Sequence, residues 1–256
     1  MPGGLPKPAS GPRISKILDR GRNRRFGVAR SAVIIFPLSV AVNLTIIRKL
    51  LSPELLSQIN ARLAASKWVD GLQTAGAAAA RVKRNLQLDA SSPEALELGE
   101  LVKKTLLAND KFPPLALPRR MTTPMFSRYE LGMEYGAHTD DAVRSRDGLR
   151  TDLAGTLFLS EPDTYEGGEL VVGNNGVKPA AGDLVLYPAT TVHRVAPVTR
   201  GVRLAAVFWV QSLVRSQEQR ELLLSLHGAI ARLGDHPVAV SVEAVQQNLL
   251  RMWAEP

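Results

Sequence analysis

Hydrophobic and polar positions divide the chain into three textures. After a short β-like run, "NLTIIRKL", apolar residues at 55, 56, 59 and 63 fall on one helical stripe, behind Ser52 as a cap and Pro53 at the first helical position. The stretch 91–107 repeats that design with Ser92 and Pro93. The alanine run 77–80 between them fits either a helix or a loop. From about residue 122 the period shortens. β-like runs at 124–131, 153–159, 168–172, 183–187 and 202–212 are punctuated by Gly132, Gly148, Gly167-Gly168, the 173–176 turn and Gly182-Asp183. After 213 the helical period returns over 216–233 and 239–253. The pattern predicts helices, then a β sandwich or barrel at about 122–213, then C-terminal helices over 214–256. Glycines 167, 168 and 182 are expected in turns, since none opens a helix as a phosphate loop requires.

Composition narrows the classes. With 256 residues, 45% apolar and 22% charged, the chain can bury a large core. It contains no cysteine, which removes disulfides, thiolate nucleophiles and iron–sulfur clusters and suits a reducing compartment. The net charge of +8 is concentrated in residues 1–30, where Asp19 alone opposes eight Lys and Arg side chains. The rest is nearly neutral, so the fold itself is not expected to bind nucleic acid. Residues 1–42 read as a basic, disordered extension preceding a domain at 43–256. Its apolar segment, 32–42, is short for a membrane span and contains Pro37. Arg24-Arg25 offers only a poor twin-arginine signal, so a cytoplasmic location is favoured over export and no stable membrane insertion is expected.

Candidate chemistry lies in "YGAHTDDAV". On a strand, His138 and Asp140 share a face and Asp141 points away. Alone, this is a common surface pair. His193 follows 55 residues later, across several strands that a barrel can fold back. Two imidazoles and one carboxylate make the facial triad of non-haem iron, with three positions left open; the bland alternative is a satisfied core or loop histidine. Along "GVRLAAVFWV", Arg203, Ala205, Val207 and Trp209 share one face, and both faces are apolar. A guanidinium in such a strand requires an anion. Either a cosubstrate carboxylate or a core acid such as Asp152 or Asp183 could supply it. His227 and His236 fall in or near the C-terminal helices and read as structural.

These pieces, with "RYELGMEYGAHTD", "TLFLSEPDTYEGGEL", "AGDLVLYPATTVHRVAPVTRGVRLAAVFWVQSLVR" and "WVDGLQTAGAAAARVKRNLQL", resemble the iron(II)- and 2-oxoglutarate-dependent dioxygenases, and among them the bacterial hydroxylases of prolyl and lysyl hydroxylase-domain (PKHD) type. The resemblance spans about residues 44–235. It implies a mainly β core with flanking helices (α+β): a double-stranded β-helix, or jelly roll, with N- and C-terminal helices. It also implies that His138, Asp140 and His193 hold Fe(2+) and that Arg203 holds the distal carboxylate of 2-oxoglutarate with Tyr129 beside it; Asn85 and Gln87 either line the substrate entrance or merely cap a turn, and Tyr135 is a further substrate-binding candidate. Relatives often place a cosubstrate tyrosine where Leu157 and Phe158 stand here. The implied activity consumes 2-oxoglutarate and O2, with L-ascorbate as an accessory reductant, releases succinate and CO2, and hydroxylates a peptidyl or small-molecule substrate, with a link to iron uptake. The competing readings are a cupin-like metal enzyme without 2-oxoglutarate, a non-catalytic jelly-roll binding module, and a membrane-anchored or nucleic-acid-binding protein led by its basic tail.

Overall fold

The protein is represented by a computed structural model that describes residues 44–74 and 79–255. The extension 1–42 and part of the alanine run lie outside the described residues, and Ala79–Arg81 forms a single 3-10 turn.

In chain order, β1 (Thr45–Ile47) leads to α1 (Pro53–Ala64); β2 (Trp68–Asp70), β3 (Lys83–Arg84) and β4 (Leu86–Leu88) precede α2 (Pro93–Ala108) and α3 (Phe112–Ala116). The strands β5 (Pro118–Met121), β6 (Met125–Tyr129), β7 (Glu134–His138), β8 (Leu153–Phe158), β9 (Glu166–Gly167) and β10 (Leu170–Val172) follow. Then come β11 (Asn175–Val177), β12 (Leu184–Pro188), β13 (His193–Val195), β14 (Val198–Arg200) and β15 (Arg203–Ser212). Helices α4 (Gln217–Leu233) and α5 (Ala239–Trp253) end the sequence of elements.

Most of the strands form two facing layers, and β9 pairs with β14 as a separate two-stranded sheet. The larger sheet runs β1-β12-β8-β15-β6-β4-β2, with β5 on β15, and the smaller runs β11-β10-β13-β7-β3. Between β6 and β15 the chain alternates between the layers, which is the winding of a jelly roll, and every ladder within them is antiparallel. The expected double-stranded β-helix with flanking helices is therefore the observed fold.

The helices form where local chemistry favours them. The Ser52 and Ser92 hydroxyls each accept a bond of 3.2 Å from the amide three residues on, and proline occupies the next position in both helices. Helices α1 to α3 cover the outer face of the larger sheet. Leu98, Val102 and Phe112 pack in one cluster with Ala206, Phe208 and Val210 of β15. The Phe112 and Phe208 rings meet edge to face at 6.0 Å. With that face sealed, the alternate residues of β15 turn toward the space between the sheets.

Strands β2 to β5 and the short helix α3 were not predicted. They are brief, and β3 and β5 are basic, so pairing with β6, β7 and β15 stabilises them rather than intrinsic propensity. Strand β7 also stops at His138, so the strand assumed to carry both His138 and Asp140 is two residues shorter than expected. Among the described residues, no helix is long and apolar enough to cross a membrane.

Candidate active site

The antiparallel ladder between β7 and β13 sets the first two candidate ligands opposite each other. His138 ends one strand, His193 begins the other, and the two are in register. Their ring centroids are 4.3 Å apart. Each ring is held by its own strand: His138 Nδ1 lies 2.8 Å from the Gly136 carbonyl, and His193 Nδ1 lies 3.0 Å from that of Thr191. A proton on Nδ1 satisfies each contact and leaves the Nε2 lone pair directed at the common space.

Asp140 completes the group. Beyond the end of β7 the chain keeps its alternation, so the Asp140 side chain turns inward while Asp141 is exposed. Asp140 Oδ2 is buried without a hydrogen-bond partner and lies 3.9 Å from His193 Nε2. One ligand atom from each of the three residues falls within 4.8 Å of the others. Ligands about 2.1 Å from a shared ion lie closer together than this, so the set must draw in to hold one. Burial and the neighbouring His193 push the His138 pKa down to about 4, keeping the ring neutral and able to donate its lone pair. Burial raises the pKa of Asp140, while His193 and the facing Trp209 indole act in the opposite direction. An orphaned buried carboxylate oxygen beside two neutral imidazoles fits a divalent cation.

These residues line a cavity of about 360 Å³ between the sheets. Arg203 stands in its wall at 1% exposure. Its Nε and Nη2 are buried with no hydrogen-bond partner. Both core acids considered as partners are engaged elsewhere: Asp152 with Arg150 at 2.7 Å and Asp183 with Arg48 at 3.1 Å. The guanidinium instead faces the rings of Tyr129 and Phe158, at 5.2 and 4.9 Å. Tyr129 is its in-register neighbour on β6. A planar donor with two idle nitrogens in a cavity fits a carboxylate.

Two glycines make room for this arrangement. Gly167 and Gly168 have φ of +67° and +66°. A Cβ at 167 would meet the Pro197 carbonyl oxygen at 2.0 Å, and one at 168 would press on Arg203 Cδ and the Tyr165 ring, both at 3.0 Å.

The remaining sequence candidates separate. Tyr135 lines the cavity and stacks on His138, with ring centroids 3.7 Å apart. Gln87 lines the cavity from β4. Asn85 does not; it is buried behind the wall, with its side-chain oxygen against Gly71. His227 and His236 are exposed and outside the cavity, and His236 accepts the Val238 amide in a turn.

Sequence reasoning missed several lining residues. Tyr187 on β12 lines the cavity and places its ring 5.0 Å from that of His193, whereas Leu157 and Phe158 are core residues that do not line it. Burial raises its pKa. Lys83 enters from β3, with its pKa pushed down to about 8 by burial. Arg144 enters from the loop after β7, 4.8 Å above the Trp209 ring. Only Trp209 carried a sequence signal, because it shares a strand face with Arg203.

Comparison with known proteins decides the family. The family model described as the 2OG-Fe(II) oxygenase superfamily matches residues 124–211. A PKHD-type hydroxylase of Bordetella pertussis is 49% identical over 221 residues, covering 82% of this chain and 98% of that protein. The chain belongs to the PKHD-type hydroxylases. Another, from Saccharophagus degradans, is 47% identical with the same coverage. Among solved structures, a Pseudomonas putida prolyl-4-hydroxylase aligns over 67% of this hydroxylase and 94% of its own chain, at 20% identity and a TM-score of 0.46. This PKHD-type hydroxylase is a 2-oxoglutarate-dependent dioxygenase, and its family implies Fe(2+), 2-oxoglutarate and O2.

Proposed function

We propose that His138, Asp140 and His193 hold the iron of this dioxygenase and that Arg203, flanked by Tyr129, takes the distal carboxylate of 2-oxoglutarate. Iron(II) in that position supplies the oxidising chemistry: one O2 and one 2-oxoglutarate are consumed, succinate and CO2 leave, and a substrate C–H becomes C–OH. The protein's own contribution is positional. The Nδ1 contacts to Gly136 and Thr191 fix both imidazoles before metal arrives. Arg203 orients the cosubstrate by a two-point grip and compensates its charge. Tyr135, against His138, restricts how that ring can turn.

The observation that carries this reading is the pair of unpartnered groups in one cavity, Asp140 Oδ2 and the Arg203 nitrogens. A cupin-like enzyme without 2-oxoglutarate needs no such arginine. Gln87 and Tyr135 are assigned to the substrate side of the cavity, and L-ascorbate to returning oxidised iron to iron(II). The domain is assigned to residues 43–256 and a cytoplasmic setting, acting on a peptidyl or small-molecule substrate with a link to iron uptake.

The test is an anaerobic iron(II) titration with and without 2-oxoglutarate, followed by oxygen and measurement of succinate. A visible charge-transfer band that requires both ligands, lost in His193→Ala, is the expected result. Iron binding that persists unchanged in His138→Ala, Asp140→Ala and His193→Ala would place the metal elsewhere.

A further inference from the structure

A second cavity of about 380 Å³ adjoins the one that holds the three candidate ligands. Gln87, Met125, Arg144 and Arg146 line both, so the two chambers meet at these side chains. The second chamber is lined by Met121, Met125, Thr122, Thr123 and Asp147 above the core side chains of Leu88, Ala95 and Phe126, with half-exposed Leu96 at its rim. Neither the three candidate ligands nor Arg203 lines it.

Charge is unevenly distributed at the junction. Arg144 is fixed there: its guanidinium lies over Trp209, it pairs with Asp147 at 3.5 Å, and its backbone closes a turn with Gly148 and Leu149. Arg146, two residues on, is exposed and has no hydrogen bond or ion pair among the described residues. The opposing carboxylates nearby are Asp147, already engaged, Asp141, and the candidate ligand Asp140. Lys83 adds a third cation to the wall of the first chamber. Burial disfavours the charged form of Arg144, a cost that an arriving anion would offset.

We propose that the substrate of this site is an elongated molecule bearing a carboxylate, which Arg146 and Arg144 hold at the junction while an apolar arm lies in the second chamber. This rests on the metal-centre assignment for which atom is hydroxylated, but not for how the molecule is held. A carboxylate at the junction leaves the first chamber for the reacting carbon, and half-exposed Leu96, with partly buried Met121 and Met125, gives the arm its apolar contact in the second.

The probes are N-decanoylglycine, compared with N-decanoylglycinamide, and a terminally blocked peptide with one glutamate between leucines, compared with its glutamine counterpart. They are titrated calorimetrically into the full-length protein. The acid should bind roughly three- to fivefold more tightly than the amide, as a partly solvated ion pair allows. Arg146→Gln should erase that preference, and Leu96→Gln should weaken acid and amide alike. Binding of the acylated amino acid alone identifies a small molecule, and binding of the peptide identifies a peptidyl substrate. Equal affinity for acid and amide, a preference that survives Arg146→Gln, or no binding of either acid overturns the proposal. The iron and 2-oxoglutarate signals are recorded on the same preparation. Their loss with the acid preference intact refutes the metal-centre reading alone; the reverse pattern refutes the substrate proposal alone.

Discussion

Replacing Arg203 with methionine should reverse the order of stability with and without 2-oxoglutarate. Without cosubstrate, wild type keeps a guanidinium at 1% exposure with two idle nitrogens, compensated by two ring contacts. Each ring contact contributes about 0.5–2 kcal/mol, against several kcal/mol for desolvating a cation. Methionine fills much of the same space without that penalty, so the variant should gain about 1–2 kcal/mol, or about 2–8 °C in Tm for a domain of this size. With cosubstrate the balance inverts. Saturation at about 100 times Kd adds about 2.7 kcal/mol to wild type. Losing the charge-assisted pair removes about 2–5 kcal/mol of binding, at least about 30-fold in affinity, so the variant gains little. Thermal melts under anaerobic iron(II), with and without 2-oxoglutarate, read both halves. If the variant melts below wild type without cosubstrate and is still stabilised by it, Arg203 is a structural residue and the assignment is wrong.

Three further outcomes follow from the geometry. Asp140→Asn should abolish succinate release under saturating iron while Asp141→Asn keeps most of it, because only Asp140 groups its carboxylate with the two imidazoles while Asp141 stays exposed; reversed activities would mean the ligand is the exposed aspartate. Gly155→Ala should cost about 1–3 kcal/mol in denaturant unfolding, since the new Cβ would lie 2.3 Å from the Phe208 ring; unchanged stability would show that the ring can move freely. Ser92→Ala should lower stability by about 1 kcal/mol by removing the cap of α2, and no change would mean that Pro93 alone sets the helix start.

The sequence carried those parts of the fold that local chemistry decides. Ser52-Pro53, Ser92-Pro93 and the two C-terminal helical stripes signal their elements within a few residues. Strands β2 to β5 carried no such signal, because partners far away in sequence hold them. The same division runs through the site. Alternation distinguished Asp140 from Asp141 even though the strand ended at His138, because extended chain keeps a two-residue period after its ladder hydrogen bonds stop. Strand periodicity also placed Trp209 beside Arg203. Tyr187 could not be found this way: β12 is apolar on both faces, and only its pairing with β8 brings that ring to His193. Lys83 and Arg144 come from a two-residue strand and a loop, where no period exists to read. Asn85 sits in the same short tract as Gln87, yet it is buried outside the cavity that Gln87 lines: Asn85 falls between β3 and β4, where no strand alternation applies, whereas Gln87 is paired with Ser127 of β6.

The Gly167-Gly168 turn has a consequence for saturation mutagenesis of this enzyme. Neither residue lines the cavity, yet any side chain at 168 must occupy a strained backbone conformation and press on the stem of Arg203. In a selection for activity, position 168 would score with the cosubstrate residues despite touching no reactant. Position 167, set against the Pro197 backbone, would drop out with the folding defects instead. Two adjacent glycines in one turn would thus report separately on catalysis and on folding.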